Sequence, residues 1–301
     1  MDIIIGIIRN ILEEGSIYGN MTMGVYISYS VLKFPDLTVD GTFPLGMCVT
    51  AALISSGVNP VVACLIAALC GAVAGCVTGL LHVKLHIADL LSGILVMTAM
   101  WSVNLVITRG SAVVPFYNMD TIFNSGPVTL LPKGLYTWRV LIVSTVATII
   151  VKIILDYYMK TKSGLLLRAT GDNQQFVTSV SKNPGMMKII GLTIGNACTA
   201  LSGSILSQVS ESANINSGTG IMVMGLASVI IGSSIFKKVN ILSATTKVII
   251  GMILYRACLA VAMQLGLPTN YLKMLMAAIF TVALVANNTL SKEKKAYEKP
   301  E

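Results

Sequence analysis

The chain has 301 residues, 54% of them hydrophobic and 11% charged, with a mean hydropathy of +0.80. Soluble domains carry about 25% charged residues, so this composition excludes a globule covered by polar surface and implies a polytopic membrane protein. The formal charge of +8 does not point to nucleic acid. Lys and Arg gather in short loops and the tail, where cytoplasmic retention of cationic loops accounts for them.

The first residues, MDIIIGIIRNILEEG, place Asp2 ahead of any cationic stretch, against the pattern of a cleavable signal peptide. Ile3, Ile4, Ile7, Ile8, Ile11 and Leu12 follow helical spacing, with Asp2, Arg9, Asn10 and Glu13 elsewhere. That predicts an amphipathic helix lying at the interface or packed on a bundle. Hydrophobic runs follow at 17–33, 43–56, 60–83, 88–108, 138–158, 189–208, 221–236, 241–265 and 271–289. A span needs about 20 apolar residues, and several runs are shorter. The expected fold is therefore an all-α transmembrane bundle of about 8–10 helices, some broken or re-entrant. It occupies residues 1–290, and residues 291–301, SKEKKAYEKPE, form a charged, unstructured cytoplasmic tail.

Two interruptions break the apolar pattern. The first, FPDLTVDGTFPLG, holds Asp36, Thr38, Asp40 and Thr42; the second, ESANINSGTG, holds Ser217 and Thr219. Each contains Gly-Thr and precedes an apolar run rich in small residues, as expected of an inverted pseudo-repeat with a pathway between its halves. Irregular backbone at membrane depth must be buried in protein or line water. These six residues, with Asn104 and Arg256, are the candidate translocation pathway. Asn104 and Asn196 also fit the simpler role of hydrogen bonding between helices. Arg256 lies inside an apolar run, where a cation costs about 2.5–3.5 kcal/mol, so a carboxylate partner is expected in Asp89, Asp36 or Asp40. Lys247, nearer a helix end, can snorkel.

Cys48, Cys64, Cys70, Cys76, Cys198 and Cys258 sit in apolar surroundings without a CxxC pair, and read as packing residues. His82 and His86 are four apart but lack an accompanying acid or Cys, and flank Lys84 at a turn. No metal is expected. Segment 110–137, with Phe116, Tyr117, Phe123, Pro115 and Pro127, is long for a connection and reads as an ordered external docking surface. Residues 159–187 form the opposite kind of loop: Lys160, Lys162, Arg168, Lys182 and the adjoining Lys188 face one acid, Asp172. Asp172 is expected to cap a short helix through Gln174–Val177, ended by Asn183-Pro184-Gly185. Charge places this loop, His82–His86, Lys237-Lys238 and the tail in the cytoplasm, and segments 110–137, 211–218 and 266–270 outside. The N-terminus is left unplaced.

The chain has no GxxxxGK[ST], HExxH or GxSxG pattern. It is read as a transport subunit and not an enzyme, with ATP bound by a partner and no cofactor of its own. Its acids cluster at helix ends and in loops, which favours a separate ATPase acting on the basic loop over an ion-coupled carrier. A membrane scaffold without flux is the third reading.

FPDLTVDGTFPLG, HIADLLSGILVMTAMWSVNL, GLLLRATGDNQQ, GLASVIIG and ILYRACLAVAMQLGLPTNYLK together resemble ABC-importer permeases of the branched-chain amino acid and ribose permease superfamily. Within it they are most similar to the branch of tryptophan/tyrosine-type uptake permeases, and the likeness covers nearly the full length. It implies a homodimeric pore in the bacterial plasma membrane, cytoplasmic ABC ATPase subunits and an external substrate-binding protein. It also implies that Arg168, Ala169, Gly171, Asp172 and Asn173 seat in the ATPase. The implied solute is an aromatic amino acid, with branched-chain amino acids or a ribose-like sugar as the alternative. The chain departs from the pattern at Ser233-Ser234 and Tyr271, where relatives often carry an acid, which bears on gating contacts there.

Overall fold

The computed structural model describes residues 2–126, 132, 136–237, 239, 242–266, 268 and 271–297. Pro127 of the expected docking segment, Lys238, Asn270 and residues 298–301 of the expected tail lie outside them. Eleven α-helices are present among the described residues. They are α1 (Asp2–Val25), α2 (Val39–Ser55), α3 (Pro60–Lys84), α4 (Asp89–Ile107), α5 (Arg139–Lys160), α6 (Lys162–Asp172), α7 (Gln174–Ser179), α8 (Pro184–Ser210), α9 (Ile221–Ile235), α10 (Ala244–Gln264) and α11 (Leu272–Tyr297). All nine apolar runs form helices. Six stretches are long and apolar enough to cross a membrane, namely Pro60–Lys84, Asp89–Ile107, Tyr136–Lys160, Pro184–Ser210, Ile215–Ile235 and Ala244–Gln264. Helix α2 is a shorter apolar helix, as the expectation of broken spans required. The helix α11 continues to Tyr297, into the segment expected to be an unstructured tail.

The N-terminal helix takes the second of its two expected positions, packed in the bundle, and is longer than its first apolar residues implied. Helix α1 continues without a break into a π-helical turn, Tyr26–Val31, and passes through the bundle against α8 and α10. Only its first turns show the exposed apolar side chains Ile4, Ile5 and Ile8; Ile17, Met21, Met23, Val25 and Ile27 are buried. Its polar residues are absorbed by neighbours. Asn20 Nδ2 donates to Thr148 Oγ1 (3.1 Å), Thr148 Oγ1 donates to the Ser16 carbonyl (2.7 Å), and Ser202 Oγ donates to the Ile17 carbonyl (2.7 Å). Membrane interiors offer no water to such groups, so they pair between helices.

Helix α8 is the other central element, packed on both α2 and α3. Gly71, Gly75 and Gly79, one turn apart on α3, lie against the Asn196 carbonyl, the Leu192 carbonyl and Ile189 of α8. Side chains there would push the two backbones apart, and small residues at this spacing are how membrane helices gain close contact. Of the cysteines, Cys48 and Cys198 are buried in packing positions and Cys64 Sγ accepts from Ser204 and Gln208, whereas Cys258 is exposed on α10.

The two ends of the bundle differ in charge. One gathers Lys33, His82–His86, α6, α7 and Lys188, joined by contacts such as Lys33 to Asp172 and His82 to Lys188. The far end carries a two-stranded antiparallel ladder, β1 (Val113–Pro115) with β2 (Ser212–Asn214), in which Val113 faces Asn214. Gln208 Oε1 accepts from the Ile122 amide (2.9 Å), and Phe116 and Phe123 are buried, so segment 110–126 is ordered. Arg9 donates to the Thr137 carbonyl (3.3 Å), which places the start of α1 at this far end.

Candidate functional site

The two sequence interruptions meet inside the bundle. From Lys33, the chain runs through Phe34–Thr38 into the interior before α2 begins, and α2 then leads to the far end. Counting 1.5 Å per residue, Asp40 lies about 22 Å along α2 from its Ser55 end, well inside the bundle. The second interruption descends from β2 through a short 3₁₀ segment, Ile215–Gly218, and α9 then continues toward the basic end. Helices α2 and α9 thus start near a common depth and run in opposite directions.

Asp40 fastens the junction. Its carboxylate accepts from the Met222 amide (2.7 Å) and the Gly220 amide (3.1 Å), at the start of α9. Those amides have no intrahelical partner, and an anion there also offsets the positive end of the helix dipole. Gly218 sits directly on the Asp40 carbonyl and Pro44, leaving no room for a β-carbon. Asn104 Nδ2 donates to the Gly41 carbonyl (3.3 Å), tying α4 to the same turn. Ser217 is half-buried and Thr219 exposed, with Thr219 Oγ1 donating to the Asn216 carbonyl.

Deeper toward the basic end, Asp36 is only 1% exposed. It accepts from the Thr38 amide (3.0 Å) and from Asn196 Nδ2 (2.7 Å). Asn196 Oδ1 accepts from Thr42 Oγ1 (2.8 Å), and the Thr38 and Thr78 hydroxyls are 2.8 Å apart. The sequence candidates Asp36, Thr38 and Thr42 are therefore brought together, and Asn196 has the inter-helix role expected of it. This network binds the start of α2 to α3 and α8, with each named polar group matched, as burial requires.

Arg256 is not part of that cluster, and its expected partners are corrected. Its Nη1 is 2.9 Å from Glu14 Oε2 of α1, and its guanidinium lies 4.0 Å from the centroid of the Tyr18 ring. Tyr18 in turn stacks on Phe43 of α2 (5.6 Å). Glu14 is not legible as the partner from sequence, because a helix at the interface or packed on the bundle carries no register against α10. A helix threading the bundle brings it alongside α10.

At the basic end, residues 159–187 fold as two short helices, α6 and α7. Asn173, not Asp172, caps α7: its Oδ1 accepts from the Gln175 amide (3.0 Å) and the Phe176 amide (3.2 Å). Asp172 closes α6 and pairs across solvent with Lys33 (3.4 Å). The Asn183-Pro184 step does not end α7, which stops at Ser179. It starts α8, with Asn183 Oδ1 accepting from Gly185 N (2.8 Å) and Pro184 in the first turn. Arg168 is exposed and Ala169 half-buried. Phe176, an apolar side chain on the polar module, is 55% exposed.

Gly171 joins this module to the core. A β-carbon on it would collide with the Val31 carbonyl and approach Leu32 Cα to 3.2 Å. Leu32 also packs against Gly191 of α8. The module thus rests on the π-helical end of α1, and such π turns are frequent at functional sites. Beside this contact is a cavity of about 650 Å³ that includes Tyr26, Asp156, Arg168, Asp172 and Thr245.

Residues 7–284 match the family described as the branched-chain amino acid transport system / permease component. The tyrosine transport system permease protein of Clostridioides difficile (strain R20291) is 38% identical over 286 residues, covering 94% of this chain and 92% of that protein. An uncharacterized protein of Rickettsia prowazekii (strain Madrid E) is 30% identical over 277 residues, covering 91% of this chain and 95% of its own length. No solved structure matches the chain.

Proposed function

The chain belongs to the branched-chain amino acid transport system permease family, and on that premise we propose that it is the membrane-spanning subunit of an ABC importer for an amino acid, an aromatic one first. The basic end faces the cytoplasm, where cationic loops are retained. An external binding protein delivers the solute at the far end, on the surface that includes segment 110–126. A separate ATPase engages α6 and α7 through Arg168, Ala169, Gly171, Asp172 and Asn173. Two copies of the chain form the pore.

The observation that carries this reading is the seat of Gly171 on the Val31 carbonyl. An exposed, polar, capped module is in backbone contact with a helix that crosses the whole bundle. A push on α6 is therefore delivered to α1, and through Glu14, Arg256 and Tyr18 to α10 and α2 at the far end. Packed helices of this kind move as units between discrete arrangements. In this reading Asp40 and the Asp36 network hold the starts of α2 and α9 on either side of the pathway, with Ser217 and Thr219 nearer to open space.

The test is uptake of radiolabelled tyrosine into proteoliposomes holding the permease, its ATPase and its binding protein. Replacing Gly171 with Leu and Asp172 with Ala together is expected to abolish ATP-stimulated uptake while the protein still inserts. Undiminished uptake in that variant overturns the coupling role. Gradient-driven uptake without the ATPase would instead make the chain a secondary carrier. Preferential uptake of leucine or ribose would move the solute to the alternative class.

A further inference from the structure

A second cavity at the basic end borders the α6–α7 module only at Gln174 and is otherwise formed by other elements. It is about 310 Å³ in volume and is walled by the α3–α4 turn (His82, His86, Ala88) and the start of α8 (Pro184, Lys188). Lys188 Nζ is 3.1 Å from His82 Nε2, and His82 Nδ1 is 2.9 Å from the Ile87 carbonyl. An ammonium group can only donate and a carbonyl can only accept, so the His82 ring links Lys188 to the Ile87 carbonyl without supplying a negative charge. Among the described residues, neither Lys188 nor His86 forms an ion pair with a carboxylate. Lys84 stands exposed beside them. The cavity therefore holds positive charge that the protein does not neutralise.

The surroundings say what kind of anion fits. Leu85, Leu90 and Leu91, on the same turn and the first turn of α4, are 63%, 46% and 55% exposed. A cationic recess with an apolar skirt, at the end of two membrane-crossing helices, matches an amphiphile and not a soluble anion. Basic pockets between transmembrane helices on the cytoplasmic side are suited to anionic lipid headgroups. We propose that this cavity binds the phosphate of an inner-leaflet anionic phospholipid, whose acyl chain lies along the exposed leucines of α4.

The experiment uses the full-length permease in nanodiscs containing phosphatidylglycerol and phosphatidylcholine, then native mass spectrometry of retained lipid. The parent protein is expected to retain phosphatidylglycerol selectively. The double substitution His86→Gln, Lys188→Gln should weaken that retention about fivefold or more, since each Lys or Arg near a surface is worth about 1 kcal/mol. Lys188→Arg should restore it, which a folding defect would not allow. Equal retention by parent and double variant overturns the proposal, as does equal retention of phosphatidylcholine. Competition by millimolar inorganic phosphate separates the sources: complete displacement of lipid would reassign the cavity to a soluble phosphate and overturn the lipid. Loss of ATPase binding in the double variant with lipid retention unchanged would make the recess a protein contact, which also overturns it. Tyrosine uptake is read separately, so failure here leaves the importer reading standing.

Discussion

Asp36 shows how much one buried carboxylate organises. It accepts two hydrogen bonds, from Thr38 and Asn196, and Asn196 passes the connection on to Thr42. Removing it as Asp36→Ala orphans both donors, at about 1–3 kcal/mol for each buried group left unmatched. Thermal unfolding in detergent should therefore move to lower temperature. The reciprocal exchange Asp36→Asn with Asn196→Asp is expected to recover most of the loss. Asn at 36 can donate to Asp at 196 while its carbonyl still accepts from Thr38, and Asp at 196 still accepts from Thr42. A double variant no more stable than Asp36→Ala would show that the network is not what holds α2. The residues themselves were legible in the sequence as polar groups beside Pro and Gly. Their partners were not, because Asp36 and Asn196 are 160 positions apart and only folding brings them together. Arg256 makes the same point in reverse: the need for a carboxylate could be read from its burial, the identity of Glu14 could not.

Among the elements, α3 meets α8 in a close seam along Gly71, Gly75 and Gly79. Gly75→Leu would place a branched side chain against the Leu192 carbonyl and Asn196, forcing the helices apart. Overpacking a dense core costs about 1–3 kcal/mol or more. The variant is expected to show reduced yield of monodisperse protein and a lowered melting temperature. Val73→Leu, on the exposed face of the same helix, should leave both unchanged; equal damage from the two would refute the seam. The apolar runs announced all nine long helices, since burying a backbone in lipid leaves helix as the available solution. The course of α1 was hidden because an amphipathic first turn looks alike at an interface and at the mouth of a bundle.

For the molecule as a whole, the structure places the start of α1 with segment 110–126 and opposite the α6–α7 module. In a cysteine-free background, Gly6→Cys and Asn118→Cys should react with an impermeant maleimide added to intact cells. Ser181→Cys should react only after permeabilisation. Labelling of Gly6→Cys from the inner side alone would refute the path of α1 through the bundle. The same arrangement makes α1 the mechanical link between the two ends, since it touches the module at Val31 and α10 at Glu14.

Composition and the period of the apolar runs by themselves determined that the chain enters a membrane as helices, which end of the bundle is basic, and which motifs resemble importer permeases. These are local or additive properties: transfer of side chains into lipid and the bias of charge between loops need no knowledge of the fold. The tertiary structure alone decided that the two broken segments share one junction through Asp40, that Arg256 pairs with Glu14, and that α1 is packed inside the bundle. Each of those depends on groups distant in sequence competing for the same few unpaired amides, carbonyls and charges, and that competition is resolved only when the helices pack.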